Sequence, residues 1–152
     1  MKTLAEPSDL AEVRARLKNL RADSRGRWGH MTANEMVCHL ADSFRILLDR
    51  KTTEPYDNWF TRTILKAIAL RLPARWPPGI RTAPELDQRI GGTKPVAFAA
   101  DVADLETLMS AIVAAPATLD RRPHPLFGPM SSAEWLRWGY LHMDHHLRQF
   151  GA

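Results

Sequence analysis

The sequence predicts an all-α fold, a bundle of four or five helices in one domain that spans residues 1–152. Two observations lead to this prediction. Apolar residues recur at helical spacing along most of the chain, and the sequence contains no sustained two-residue alternation of the kind that indicates strands. Proline- and glycine-bearing stretches separate the periodic segments, as expected for connections between helices.

The first predicted helix opens at Pro7-Ser8-Asp9 and runs to about Leu20. Its apolar side chains fall on one stripe of a helix, at Leu10, Val13, Leu17 and Leu20. A polar connection over residues 22–29 follows it.

The second and last helices share the clearest start signal in the chain. Thr32 and Ser131 stand at the N-cap position, and Glu35 and Glu134 follow three residues later, which is the pattern of a capping box. We expect the second helix to reach about residue 49 and the last to reach about residue 150. Gly151 then suits the C-cap of the last helix.

The third predicted helix runs from about Trp59 to Leu72, after a loop over residues 51–58, and Pro73 ends it. Residues 73–95 are so dense in proline and glycine that no long uninterrupted element fits there. A connection of this length in a small domain is often functional.

The fourth predicted helix covers Ala99 to Ala115, with Asp101 or a neighbour as its cap, and Pro116 stops it. A proline- and glycine-bearing loop over residues 121–129 leads to the last helix and contains His124.

Composition narrows the range of functions. The net charge of +4 comes mostly from arginines scattered along the chain, and scatter without a cluster argues against nucleic-acid binding. Cys38 is the single cysteine, so an intramolecular disulfide is impossible and a reducing compartment is expected. The first residues lack an apolar run, and Lys66 and Arg71 interrupt the most apolar helical stretch. We therefore expect no signal peptide, no membrane span and a soluble cytoplasmic protein.

Three histidines form the candidate site. His142 and His146 stand four residues apart in the last helix, which places both imidazoles on one face. His39 lies in the second helix, whose start matches that of the last helix. Counted from the two caps, His39 is the seventh residue and the pair are the eleventh and fifteenth, so the three can meet in one layer if the helices pack together. His145 could replace His146 as a ligand.

Such a triad suits a divalent metal ion, with zinc or nickel as the first choices. Three protein ligands leave a coordination position for water or a substrate. Asp42 or Glu35 could orient a ligand imidazole, and Gln149 could bond a metal-bound water or simply be solvated.

Each of these residues also has a purely structural interpretation. Two histidines four apart on a helix often occur without a metal, and a lone buried cysteine such as Cys38 is usually a small apolar residue without a catalytic role. His30 and His124 lie in predicted loops, where surface or loop-fixing roles are expected. The tryptophans are interpreted as core or pocket-wall residues: Trp28, Trp135 and Trp138.

Several motifs resemble the DinB-like superfamily, the group that includes the bacillithiol-transferase-like YfiT proteins. The motifs are Trp28-Gly29-His30-Met31-Thr32, Glu35-Met36-Val37-Cys38-His39-Leu40 and His142-Met143-Asp144-His145-His146. Within that group the chain is most similar to an uncharacterised branch with two further motifs, here His124-Pro125-Leu126-Phe127-Gly128 and the segment from His145 to Gly151. The similarity covers both ends of the chain well and the middle poorly.

The resemblance implies a four-helix bundle with an up-down-down-up course, often dimeric, that holds a divalent metal. Carried onto this chain, the implied ligands are His39, His142 and His146. It also implies chemistry such as transfer of a thiol to an electrophile, in which the metal activates the thiol.

Two hypotheses follow. The leading one is a metal-dependent transferase that joins a low-molecular-weight thiol to a small electrophilic substrate and forms a homodimer. The alternative is a non-catalytic helical protein, a small-ligand binder or dimerisation module, in which the histidines bond only to one another or to nearby backbone.

Overall fold

The computed structural model describes residues 1–72, 75–80 and 82–152. Its described part is mostly helical, in agreement with the predicted all-α class. It contains five α-helices: α1 (Pro7–Lys18), α2 (Ala33–Leu47), α3 (Lys66–Arg71), α4 (Phe98–Ala114) and α5 (Ser132–Gln149). Short 3₁₀ turns lie at Pro84–Leu86 and Pro116–Leu119.

Both predicted capping boxes are confirmed. The Thr32 side chain accepts a hydrogen bond from the Glu35 backbone N–H, and the Glu35 carboxylate accepts one from the Thr32 N–H. Ser131 and Glu134 make the same reciprocal pair at the start of α5. Gly151 follows α5 with a positive φ of 76°, a conformation that glycine adopts without strain.

The third helical segment differs from the prediction in its winding. Helical backbone begins at Trp59, but Thr61–Leu65 form a π-helical turn before α3 continues to Arg71. The Thr63 hydroxyl donates to the Trp59 carbonyl beside this turn. Pro73, the predicted end signal, lies outside the described residues.

The start of α4 lacks the predicted side-chain cap. Ala97 occupies the N-cap position, without a side-chain cap bond. The Asp101 carboxylate instead lies in the first turn and accepts the Val96 backbone N–H at 3.1 Å, so it fixes the chain just before the helix.

A small antiparallel sheet was not predicted. β1 (Pro123–His124) pairs with β2 (Gly128–Pro129), with Pro123 opposite Pro129 and His124 opposite Gly128. Strands of two residues are too short for alternation to indicate them.

The packing of the helices brings α2 and α5 together. α2 packs on α4, and α1, α2 and α3 each contact α5. The buried core includes large side chains from several elements, among them Leu17, Phe44, Met109 and Trp135. No helix among the described residues is long and apolar enough to cross a membrane.

Candidate metal centre

α2 and α5 bring the three predicted ligands together. His39 comes from α2, and His142 and His146 come from successive turns of one face of α5. All three are buried, and their candidate ligand nitrogens lie within 4.8 Å of one another. The three side chains therefore form a cluster that can hold a metal ion.

The closest pair matches ordinary coordination. The Nε2 atoms of His39 and His142 lie 3.1 Å apart. Two nitrogens bound to one ion at 2.0–2.1 Å, at angles between about 90° and 109°, lie about 2.8–3.4 Å apart. The same separation also fits a hydrogen bond between two neutral imidazoles.

His39 is oriented by backbone. Its Nδ1–H donates to the Leu86 carbonyl at 3.0 Å, which leaves Nε2 directed toward the other histidines. Asp42 and Glu35, the residues predicted to orient a ligand, have other partners. The Asp42 carboxylate bonds to Arg45 and Thr93, and the Glu35 carboxylate serves the α2 capping box and pairs with Arg89.

His146 is oriented by Gln149. Its Nδ1–H donates to the Gln149 Oε1 at 2.8 Å, and the Gln149 Nε2 donates to the Trp28 carbonyl at 2.8 Å. Gln149 is therefore buried and bonded within the protein, so the solvated role considered from sequence is wrong, while the bond to a metal water stays a prediction. Gly29 permits this arrangement, because a Cβ there would lie 2.8 Å from the Gln149 Nε2.

His142 stands between aromatic rings. Its ring centroid lies 4.5 Å from that of Trp138 and 6.2 Å from that of Trp76. Its Nδ1 is buried and has no hydrogen-bonding partner among the residues that the structure describes. Burial, followed by the neighbouring His146 and His39, holds the pKa of His142 well below its usual range.

Burial is also the main reason why the pKa values of His39 and His146 are lowered. Neutral imidazole is the form that binds metal, so the environment favours the ligand form at all three positions.

His145, the alternative ligand, faces elsewhere. Its ring lies against Trp28 and Trp76, with centroids 5.8 and 6.3 Å away, and it is outside the three-histidine cluster. Its Nδ1 is buried and finds no partner in the described part of the chain.

The remaining candidates agree with their structural interpretations. His30 is exposed, and His124 fixes its loop by accepting the backbone N–H groups of Leu126 and Phe127. Cys38 is buried, outside the cluster, and burial raises the pKa of its thiol to about 12. Trp135 and Trp138 are buried wall residues, while Trp28 is half-buried against His145.

A cavity of about 420 Å³ opens beside the cluster. Its wall is mainly apolar and includes the three clustered histidines together with side chains from the third helical segment and the long connection, among them Leu65, Ile68, Trp76, Ile80 and Leu86. No carboxylate, lysine or cysteine occurs among its described lining residues. This size suits a small molecule.

Sequence reasoning missed two contributors to the site. Leu86 acts through its backbone carbonyl, which no side-chain pattern marks, although the length of the connection that carries it predicted a functional segment. Trp76 packs over His142 and His145 from the same connection, and nothing in the local pattern predicted that contact.

A family model described as "Protein of unknown function (DUF1569)" matches residues 4–152. The match covers nearly the whole chain, so the protein belongs to this family. No curated protein and no solved structure matches the chain.

Proposed function

We propose that this member of the DUF1569 family is a divalent-metal-dependent enzyme that transfers a small thiol to a small electrophile. His39, His142 and His146 would hold the metal, with zinc or nickel as the first candidates. The observation that carries the proposal is the cluster of three buried imidazoles in the wall of a 420 Å³ cavity.

The residues around the cluster prepare it for an ion. Leu86 and Gln149 each accept an Nδ1–H, so both His39 and His146 keep an unprotonated Nε2. The apolar wall limits access of bulk water to the cluster. When bound, a divalent ion with three protein ligands retains an open position and supplies Lewis-acid activation of a thiol or water.

The cavity supports a role for a thiol cosubstrate. Its described lining offers neither a carboxylate, a lysine nor a cysteine as a nucleophile, and the Ser43 hydroxyl already donates to the His39 carbonyl. Cys38 lies outside the lining, with its thiol held protonated. Tyr56 and Thr82 supply the other hydroxyl groups of the described lining, and burial raises the pKa of Tyr56. We infer that the nucleophile arrives from solution, which suits a low-molecular-weight thiol.

We also propose that the fold is the DinB-like four-helix bundle with the up-down-down-up course. The long helices α1, α2, α4 and α5 would be its members. The contacts of α2 with α4, of α1 with α5 and of α2 with α5 support this arrangement.

The test is metal analysis of untagged protein after incubation with zinc or nickel and desalting. We expect close to one ion per chain in the wild type and a large loss in His39→Ala and His142→Ala, since each change removes one of three ligands. His30→Ala is the matched control, because His30 is exposed and outside the cluster. Wild-type protein that retains no ion would remove the basis of the proposal.

The non-catalytic alternative also has an observation in its favour. Each clustered histidine has a bonding partner within the protein, because His39 bonds to Leu86, His146 bonds to Gln149, and the Nε2 atoms of His39 and His142 are within hydrogen-bond distance. These bonds are enough to hold the three histidines in place in a ligand-binding protein that contains no metal.

Thermal unfolding separates the two functions. If the protein is a non-catalytic ligand binder, replacing all three histidines with glutamine should leave the melting temperature nearly unchanged, with or without zinc. A rise of several degrees on adding zinc to the wild type, absent from the triple variant, would count against the alternative and support the metal-dependent enzyme.

A further inference from the structure

The loop around His124 determines which nitrogen of its ring carries the proton and can donate a hydrogen bond. Its Nδ1 accepts the backbone N–H of Leu126 at 3.0 Å and that of Phe127 at 3.3 Å. A ring nitrogen that accepts from backbone N–H groups carries no proton itself, so the proton of the neutral ring lies on Nε2.

The surroundings of His124 keep the ring neutral. Phe127 stacks on it at a centroid distance of 4.7 Å, and Trp135 and Trp138 lie at 5.2 and 5.0 Å. Burial in this aromatic cage lowers the pKa of His124 to about 3, and the charge of Asp57 acts in the opposite direction. The imidazole is therefore an uncharged Nε2–H donor at neutral pH.

The edge of the His124 ring that carries Nε2 faces the cavity. His124 lines the same cavity as the metal cluster and is 8% exposed. Nδ1 is turned toward the hairpin backbone, so the edge with Nε2 is the one left for the cavity. Within the described chain, Nε2 has no hydrogen-bonding partner, and it is not fully enclosed by other atoms, so a ligand in the cavity can reach it.

We propose that the His124 Nε2–H hydrogen-bonds to a carbonyl-type oxygen of the substrate, so that the cavity selects small, largely apolar, uncharged molecules that carry such an acceptor. This assignment rests on the proposed function, because it describes the substrate of the same cavity. A neutral donor in this position would orient the carbonyl and polarise it.

The charges of the cavity favour an uncharged acceptor over an anion. Arg75 is the single cationic side chain in the described lining, and it is exposed. Unless it displaced the thiol from the proposed metal ion, a carboxylate placed deep among Phe127, Trp135 and Trp138 would lose its hydration without gaining a positive partner from the described buried side chains. A ketone or aldehyde oxygen needs only the one donor that His124 offers.

The test compares two probes of nearly the same shape, acetophenone and α-methylstyrene, which differ in a C=O against a C=CH₂. We expect the wild type to bind acetophenone about threefold to tenfold more tightly, the value of one net neutral hydrogen bond. The infrared carbonyl band of bound ¹³C-labelled acetophenone should also move to lower frequency, which a purely structural histidine would not cause.

His124→Asn is the decisive variant. The asparagine Oδ1 takes the place of Nδ1 as acceptor for the Leu126 and Phe127 N–H groups, whereas the Nε2–H is lost. We expect this variant to fold, to bind both probes equally and to show no band shift. His124→Gln, which places an amide N–H near the position of Nε2, should restore part of the preference if it folds.

Several outcomes would overturn the proposal. These are an unchanged preference in His124→Asn, no preference in the wild type, failure of both probes to bind at their solubility limits, or an ¹⁵N NMR spectrum with a protonated Nδ1. The probes are tested with and without zinc. A preference that persists in protein unable to retain zinc would leave this inference standing while the metal-dependent function fails, and the reverse result would remove only this inference.

Discussion

Gln149 links two parts of the chain through a single side chain. Its amide oxygen holds His146 and its amide nitrogen holds the Trp28 carbonyl, so the orientation of a candidate ligand depends on the connection before α2. A side chain at position 29 would push against the Gln149 amide, so the absence of a side chain at Gly29 helps to keep His146 in its orientation. Groups that orient metal-binding histidines in this way commonly affect metal affinity strongly.

Replacing Gln149 with leucine should weaken metal binding about 10–100-fold, because His146 loses the acceptor that fixes its tautomer and ring angle. Competition titration of zinc against a chromophoric chelator measures the change. Gln149→Glu is the control, since its carboxylate still accepts from the His146 Nδ1–H and should retain most of the affinity. Equal zinc affinity in the leucine variant and the wild type would contradict the role assigned to Gln149.

His124 should make stability depend on pH in a defined window. Its pKa is lowered from 6.5 to about 3 on folding, so below pH 6.5 the unfolded state binds a proton that the folded state does not. The contribution of the neutral His124 to the free energy of unfolding is therefore fully present above about pH 6.5 and is lost as the pH drops toward 3. At pH 5 the loss from this group is on the order of 2 kcal/mol.

Urea unfolding at pH 7.5 and pH 5 measures this loss. His124→Asn lacks the titrating group, so its stability should fall less between the two pH values than that of the wild type. The other buried histidines are present in both proteins and cancel in the comparison. Identical pH dependence in the two proteins would contradict the assigned burial effect.

At the scale of elements, one carboxylate fastens the long connection to α2. The Asp42 side chain is fully buried and accepts the Thr93 backbone N–H at 2.7 Å and the Gln88 Nε2–H at 3.3 Å. Arg45 and Lys51 supply the compensating positive charges. The same connection carries the Leu86 carbonyl that orients His39. Asp42 therefore positions a candidate ligand through the backbone of another segment.

Asp42→Asn should destabilise the fold by roughly 3 kcal/mol, because it leaves Arg45 and Lys51 without their buried partner. Chemical unfolding gives the free energy, and hydrogen exchange should accelerate over residues 84–93. Asp104→Asn is the matched control, since that carboxylate also pairs with Arg45 but its side chain is 45% exposed, whereas that of Asp42 is fully buried, so the change should alter stability by less than about 1 kcal/mol. Similar effects of both changes on the free energy of unfolding would contradict the role assigned to Asp42.

The sequence predicted those elements whose causes are local. The capping boxes at Thr32 and Ser131 depend on residues three apart, so the starts of α2 and α5 were predicted correctly. The spacing of His142 and His146 likewise follows from one helix. The partners of His39 lie in distant segments, and no local signal in the sequence marks the π-helical turn at Thr61–Leu65. Single-sequence periodicity carries no information about such contacts.

At the scale of the whole molecule, the described residues leave an apolar stripe exposed on the third helical segment. Four exposed side chains repeat every fourth residue along the third helical segment: Phe60, Ile64, Ile68 and Leu72. Contiguous exposed apolar surface commonly marks an interaction site. The predicted homodimer, which rests on the family resemblance, stays a prediction, and this stripe is where we expect its interface.

Sedimentation velocity should therefore find a dimer in the wild type, and Ile64→Lys should convert it to a monomer by placing a charge in an apolar contact. Val96→Lys is the control, because Val96 is apolar and highly exposed but lies outside the stripe. A wild-type monomer at all accessible concentrations would contradict the dimer. A dimer that survives Ile64→Lys would place the interface elsewhere.

The separation of His39 and His142 by 103 positions in the chain affects how an ion could be acquired. An unfolded chain rarely brings such distant residues together, so the complete ligand set arises only after α5 has docked on α2. Under the proposed function, loading would therefore come late in assembly, and the helices would first associate without help from the ion. Chelation should consequently strip the protein without unfolding it, unlike a zinc finger, whose chain collapses when its ion is removed.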